Sequence, residues 1–270
     1  MTDPLARIAA ALERMAPPSA RFEMADDADA YHWDGRSLIA VARFRPLPLE
    51  LLIGVDRQKS ALLDNARRHA AGHAAHDALL WGARGMGKSA LVKSVVGALP
   101  GLALVEAAGD RIDSLPQLFA RLSDSKRRFL LFLDDIGFGG SEGEEAAARR
   151  VRSLLEGGAE ERPANVRLIV TSNRRNIVER SASEQDDPLN ARDVIEDRLA
   201  LADRFGLKLG FHAPDQAGWL AMVAAYAAHF GLEWDEPDAL AFVQSRGQRS
   251  GRTAWHYAVE LAGRAGRALD

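Results

Sequence analysis

The 270-residue chain carries 35 Lys and Arg against 38 Asp and Glu, a formal net charge of −3, with 47% hydrophobic residues and no cysteine. Disulfides, thiolate metal centres and a cysteine nucleophile are thereby excluded, and no overall positive field draws the chain to nucleic acid. The apolar share can build a large core without staples. No run of it is long enough to span a bilayer, and no charged-then-apolar leader follows Met1, so a cytoplasmic protein with no membrane partner is expected.

In chain order, Asp3 and Pro4 open a helix signal with Leu5, Ile8, Leu12 and Met15 on one face, ended by Pro17 and Pro18. Residues 19–50 are less regular, and Ser37 to Arg45 reads as a strand or an extended arm. Tyr31, Trp33 and Phe44 interleave there with Arg36, Arg43 and Arg45. That pattern fits a nucleic-acid contact and, more commonly, an arm packed on its own domain. A helix follows over 56–70, with Asp56 as its expected cap, Arg67, Arg68 and His69 in its last turn, and Gly72 closing it.

The stretch Gly82-Ala83-Arg84-Gly85-Met86-Gly87-Lys88-Ser89 fits the phosphate-binding pattern G-x-x-x-x-G-K-[ST]. It follows the apolar run Ala78 to Trp81, which reads as a buried strand, and precedes a helical pattern from Ala90 to Leu99. In that setting successive loop N–H groups turn inward and the helix offers its positive end to an anion. Lys88 is expected on the β- and γ-phosphates and Ser89 on Mg²⁺.

Beyond the loop, strands are expected over 102–106, 128–133, 166–171 and 207–211, with helices over 115–122, 143–155 and 190–201 and a polar loop from Ser181 to Pro188. This alternation predicts a doubly wound α/β domain of five parallel strands. From Pro214 only helices follow, over 214–230, 237–246 and 252–269. The expected organisation is an N-terminal helix and arm (1–49), a nucleotide-binding domain (50–212) and a small helical domain (213–270).

Asp134 and Asp135 end the most apolar strand, where open parallel sheets bind ligands. Asp134 is assigned to the Mg²⁺ shell and Asp135 to polarising the attacking water. Asn173 ends the next strand, where an amide serves either as a hydrogen-bond donor to the γ-phosphate or water, or as a turn former. Arg149, Arg150 and Arg152, with Arg174 and Arg175, read as a basic patch or, more commonly, as part of a solvated helix paired with Glu144 and Glu145, in which Arg149 and Arg152 share a face and Arg150 does not. His69, His73 and His76 are read as no metal site.

With these residues in place the chain resembles AAA+ ATPases over about 50–265. Leu52 to Lys59, Thr171 to Arg175, Asp203 to Leu207 and Arg249 to Ala254 are similar to a family of bacterial ATP-binding proteins of unknown function. The Leu133-Asp134-Asp135-Ile136 and Thr171-Ser172-Asn173 segments also resemble the replication-initiator and helicase-loader branch. The resemblance implies that Ile53 and Gly54 flank the adenine, that the loop with Ala90 holds the phosphates, and that Asn173 is the first sensor. It further implies that Arg204 is a finger entering a neighbouring subunit's site in a homo-oligomer, and that Arg252 is the second sensor on a helical lid. The second acid is Asp135, where many hydrolases of the family have Glu.

The function expected is Mg²⁺-dependent ATP hydrolysis to ADP and phosphate, driving a change in a protein or nucleoprotein partner. A helicase-loader-like binding module with little turnover is the alternative, and a P-loop kinase is a weaker one.

Overall fold

A computed structural model describes residues 28–137, 142–156, 162–173 and 201–269. The expected helix from Asp3, the loop from Ser181 to Pro188, Arg174, Arg175 and most of the helix expected over 190–201 lie outside these residues.

The strands are β1 (Ala30–Trp33), β2 (Leu38–Ala40), β3 (Ala78–Gly82), β4 (Leu102–Ala107), β5 (Arg128–Leu133), β6 (Val166–Ser172) and β7 (Leu207–Phe211). The helices are α1 (Asp56–Ala70), α2 (Lys88–Gly97), α3 (Leu115–Ser123), α4 (Glu142–Glu156), α5 (Gln216–Phe230), α6 (Glu236–Arg246) and α7 (Gly251–Arg264). Two 3-10 turns, Leu49–Leu51 and Gly109–Ser114, precede α1 and α3.

Seven strands form the sheet, in the order β2-β1-β4-β5-β6-β3-β7, so the expectation of five is corrected. All neighbours are parallel except β1 and β2. The two extra strands come from the stretch expected as an arm. A hairpin turn joins them: the Asp34 carboxylate accepts from the N–H groups of Ser37 (2.6 Å) and Arg36 (2.7 Å), and Gly35 takes φ +98°. These N–H donors hold the Asp34 carboxyl below the usual carboxylate range. Tyr31 and Trp33 are 1% and 0% exposed, so they pack the core and leave no ring face for a base. The packed-arm reading of those aromatics holds, with β1 as its cause.

Alternation of side chains across the pleat divides the core in two. On one face Val105, Phe129, Leu131 and Val170 meet Leu118, Phe119 and Leu122 of α3. On the other, Leu104, Leu130, Phe132 and Ile169 meet Leu91, Val92 and Val95 of α2 and Leu62 and Ala66 of α1. The central strand β5 is therefore apolar on both sides, as buried parallel strands are.

Helix α1 is capped by Val55, without a side-chain bond, which corrects the expected Asp56 cap. Asp56 is instead the first helical residue and pairs with Lys59 at 3.0 Å. The Lys59 ammonium also donates to the carbonyls of Leu49 (3.2 Å) and Leu52 (3.1 Å), tying the preceding 3-10 turn to α1. His69, at the end of α1, turns inward. Its Nε2 lies 3.1 Å from the Phe129 carbonyl and 3.2 Å from that of Asn165.

The C-terminal helices enclose a third core around Trp219, Val223, Tyr257 and Leu261. Asp235 caps α6, and Ser250 with Thr253 forms a reciprocal capping box at α7. Tyr257 donates to Asp238 at 2.8 Å, and Arg264 pairs with the same carboxylate at 2.7 Å, joining α6 to α7. The end of the 3-10 turn bridges the bodies: its last residue Leu51 packs into this third core and the next residue, Leu52, into the sheet core. Among the described residues no helix is long and apolar enough to cross a membrane.

Candidate active site

The loop between β3 and α2 has the backbone its glycines imply. Gly82 takes φ +142° with its missing Cβ directed at the Phe211 carbonyl, so β3 and β7 come together only because no side chain intervenes. Gly85 takes φ +78°, and a Cβ there would stand 3.1 Å from Ser250 Oγ and 3.2 Å from Arg252 Cβ. The C-terminal helices thus close directly over the loop, and the Arg252 N–H donates to the Gly85 carbonyl at 3.1 Å.

Between loop and helices lies a cavity of about 540 Å³. Its polar end is lined by Arg84 to Ala90, Asp134, Asp135, Thr171, Asn173 and Arg252. Its apolar end is lined by Leu47, Leu51 to Ile53, Met222, Tyr226 and Trp255. The volume falls in the range of small-molecule sites.

Lys88 is 7% exposed and donates to the carbonyls of Gly82 (2.6 Å) and Ala83 (3.0 Å) and to Asn173 Oδ1 (3.4 Å). Burial lowers its proton affinity below that of an ordinary lysine, opposed by the carboxylates of Asp135 and Asp134. Ser89 Oγ donates to Asp134 Oδ1 at 2.8 Å, and Thr171 Oγ1 donates to the same oxygen. The acid beside it is held through its backbone. The Asp135 N–H donates to Thr171 Oγ1 at 2.8 Å, and the Ile136 N–H donates to the Thr171 carbonyl at 2.9 Å. Asp135 has φ +55° and is the only non-glycine with positive φ among the described residues, a conformation that persists where surrounding bonds over-determine it. The Asn173 amide donates to Asp135 Oδ1, and Arg84 Nη2 lies 3.0 Å from Asp135 Oδ2.

The fold thus brings together Arg84 to Ala90, Ile53, Asp134, Asp135, Asn173 and Arg252, while Gly82 and Ala83 do not line the cavity and instead accept from Lys88 through their carbonyls. Gly54 (φ +79°) shapes the wall between Ile53 and Val55. Arg204 sits in the turn ahead of β7 and does not line this cavity. Ser89 and Asp134 offer adjoining hard oxygen donors at the cavity's polar end, and this donor set fits Mg²⁺.

Sequence reasoning missed Thr171 as a site residue, although it precedes Asn173 by two and so shares its side of the strand. It also missed Leu47, Met222, Tyr226 and Trp255, which no local pattern singles out.

Three comparisons bear on this arrangement. No curated protein matches the sequence. Solved structures that the chain resembles include a variant of RuvB from Thermotoga maritima (TM-score 0.54, 18% identity, 83% of this chain and 68% of that one). A second RuvB mutant of that organism gives a TM-score of 0.53 at 17% identity, with the same coverage. The T. maritima RuvB Holliday junction branch migration motor gives 0.51 at 16% over the same shares. At such identities the likeness is one of fold: an α/β fold around a mostly parallel sheet. The family described as "Protein of unknown function (DUF815)" matches residues 26–265, and the chain belongs to that family.

Proposed function

We propose that the chain is an ATPase, taking ATP with Mg²⁺ into this cavity and hydrolysing it to ADP and phosphate. One observation carries the reading: Lys88, the Ser89–Asp134 pair, Asp135 and Asn173 converge on one end of a single cavity whose other end is apolar enough for a base. Mg²⁺, held by Ser89 and through its water shell by Asp134, would supply charge neutralisation on the β- and γ-phosphate oxygens.

Lys88 and the loop N–H groups hold the phosphates, and Ile53 and Gly54 flank the base. Asn173 and Asp135 orient the attacking water. Its oxygen bonds to the γ-phosphorus as the bond from that phosphorus to the β–γ bridging oxygen breaks. The bridging oxygen leaves with ADP, and the water's proton passes to Asp135. Residues 213–270 act as a lid on the nucleotide-binding domain of residues 50–212, whose sheet β1 and β2 extend. Arg252 reaches the nucleotide from the lid, and Arg204 reaches the site of a neighbouring copy in a homo-oligomer. The output is a conformational or assembly change in a protein or nucleoprotein partner in the cytoplasm.

Phosphate release that requires Mg²⁺ and vanishes in Lys88→Ala is the expected result; undiminished nucleotide binding by that variant would sink the reading. ATP-dependent assembly lost in Arg204→Ala tests the intersubunit role separately. A second reading, an ATP-dependent binding module with little turnover, draws on Asp135, both of whose carboxylate oxygens are already engaged.

A further inference from the structure

We propose that the Arg84 guanidinium is a γ-phosphate ligand supplied by the chain's own phosphate loop, and that Asp135 is its seat until a triphosphate arrives. This rests on the ATPase reading of the same site and assigns it an additional catalytic residue.

The loop's known hold on phosphates comes from its N–H groups, Lys88 and Ser89; the positions between its glycines have no fixed side-chain role. Here one of them carries a cation that lines the cavity and reaches across it to the opposite acid. Arg84 Nη2 occupies Asp135 Oδ2 at 3.0 Å while the Asn173 amide occupies Oδ1. The carboxylate that must take the water's proton therefore has a donor on each oxygen.

The two partners differ in freedom. The Asp135 main chain is pinned by Thr171 on two successive N–H bonds, in a left-handed conformation. The Arg84 side chain is 72% exposed and lies on a long arm, and an ion pair this exposed holds weakly. A γ-phosphate entering beside Lys88 presents more charge than one carboxylate and a geometry matched to the guanidinium fork. Arg84 transfers to it, and Asp135 stays.

The transfer does two things. It places a cation on the equatorial oxygens where charge develops as the γ-phosphoryl group passes to water. It also clears Oδ2 to accept the proton of that water. The base is thus uncovered only when a γ-phosphate is present, and ADP leaves the Arg84–Asp135 pair closed.

The test compares Arg84→Ala and Arg84→Lys with the parent in two assays. Calorimetry with Mg²⁺ gives the ratio of affinities for ADP and for a non-hydrolysable ATP analogue with an imido β–γ bridge. Phosphate release gives kcat and KM. In Arg84→Ala the preference for the triphosphate analogue is expected to fall about 10-fold while ADP affinity stays within about threefold. Its kcat is expected to fall about 100-fold. Arg84→Lys, a point charge without the fork, is expected to recover part of both. An unchanged affinity ratio, or a kcat equal to or above the parent's, overturns the proposal. A parent that binds nucleotide but releases no phosphate defeats the ATPase reading alone, because the affinity ratio still reports on Arg84. A parent that binds neither nucleotide overturns both.

Discussion

At the polar end of the cavity the side chains are fastened to one another, whereas at the apolar end the walls come from three distant stretches of chain. Asp134 is bonded to Ser89 and Thr171, Asp135 to Thr171 and Asn173, and Asn173 to Lys88. The other end is assembled from residues 47–53, Met222 and Tyr226 of α5, and Trp255 of α7. The C-terminal helices meet the polar end through the Arg252 N–H on the Gly85 carbonyl, and Leu51 packs into their own core. The contrast fits a division of labour. A preorganised hydrogen-bond cluster positions reacting groups without reorganising, while an apolar wall contributes binding area wherever its helices come to rest.

The largest expected effect breaks the fastened end. Asp134→Ala removes the acceptor shared by Ser89 and Thr171 and is expected to lower kcat about 1000-fold in a phosphate-release assay. A loss confined to KM would place Asp134 outside the chemistry. Thr171→Val leaves the Asp135 N–H without its acceptor and Asp134 without one donor. A cost of about 2 kcal/mol for the orphaned groups gives a kcat lower by about 30-fold. Parental turnover in that variant would show that Asp135 is held by other means.

The apolar end should respond in the other parameter. Trp255 lines the cavity and packs edge-on against Tyr226 (centroids 5.6 Å apart) and Phe230 (5.7 Å). Trp255→Ala is expected to raise KM for ATP about 10-fold with kcat nearly unchanged, the signature of lost uniform binding. Should kcat fall with Trp255 as steeply as with Thr171, the two ends are one unit and the contrast collapses.

The smallest effect on turnover belongs to His69, which lines neither end and bears on stability instead. Burial, then the nearby Arg167 charge, depresses its pKa to about 4, below the usual 6.5. A protein holding this imidazole neutral binds fewer protons than the unfolded chain between those values. The associated stability is present above pH 6.5 and is lost as pH falls from 6.5 through about 4. The slope cannot exceed about 1.4 kcal/mol per pH unit for one group. Urea denaturation at pH 7 and pH 5 should show the loss, and His69→Leu should flatten it. Equal pH dependence in that variant would assign the effect to other residues.

Much of the polar end was legible because its signals are short-range. The loop pattern, the apolar β5 and the acids behind it each lie within eight residues, and the order loop, acids, amide follows from the strand–helix alternation. The five mutually parallel strands β3 to β7 were placed for the same reason. β1 was missed because it is four residues long and owes its place to β4, more than seventy residues away. Asp34-Gly35 was a hairpin signal in plain view. The Asp56 cap was misplaced by one residue because its carboxylate turned to Lys59.

The amino-acid sequence by itself determined that a phosphate loop sits between a buried strand and a helix, with two acids and an amide at the ends of neighbouring strands. Backbone geometry and pleat alternation act over a few residues, so they can be read there. Only the tertiary structure decided that Arg84 meets Asp135, that Thr171 clamps both acids, and that Leu47, Met222, Tyr226 and Trp255 share one cavity. Those contacts join residues 36 to more than 200 positions apart, and nothing short of packing the sheet, its helices and the C-terminal unit together specifies them.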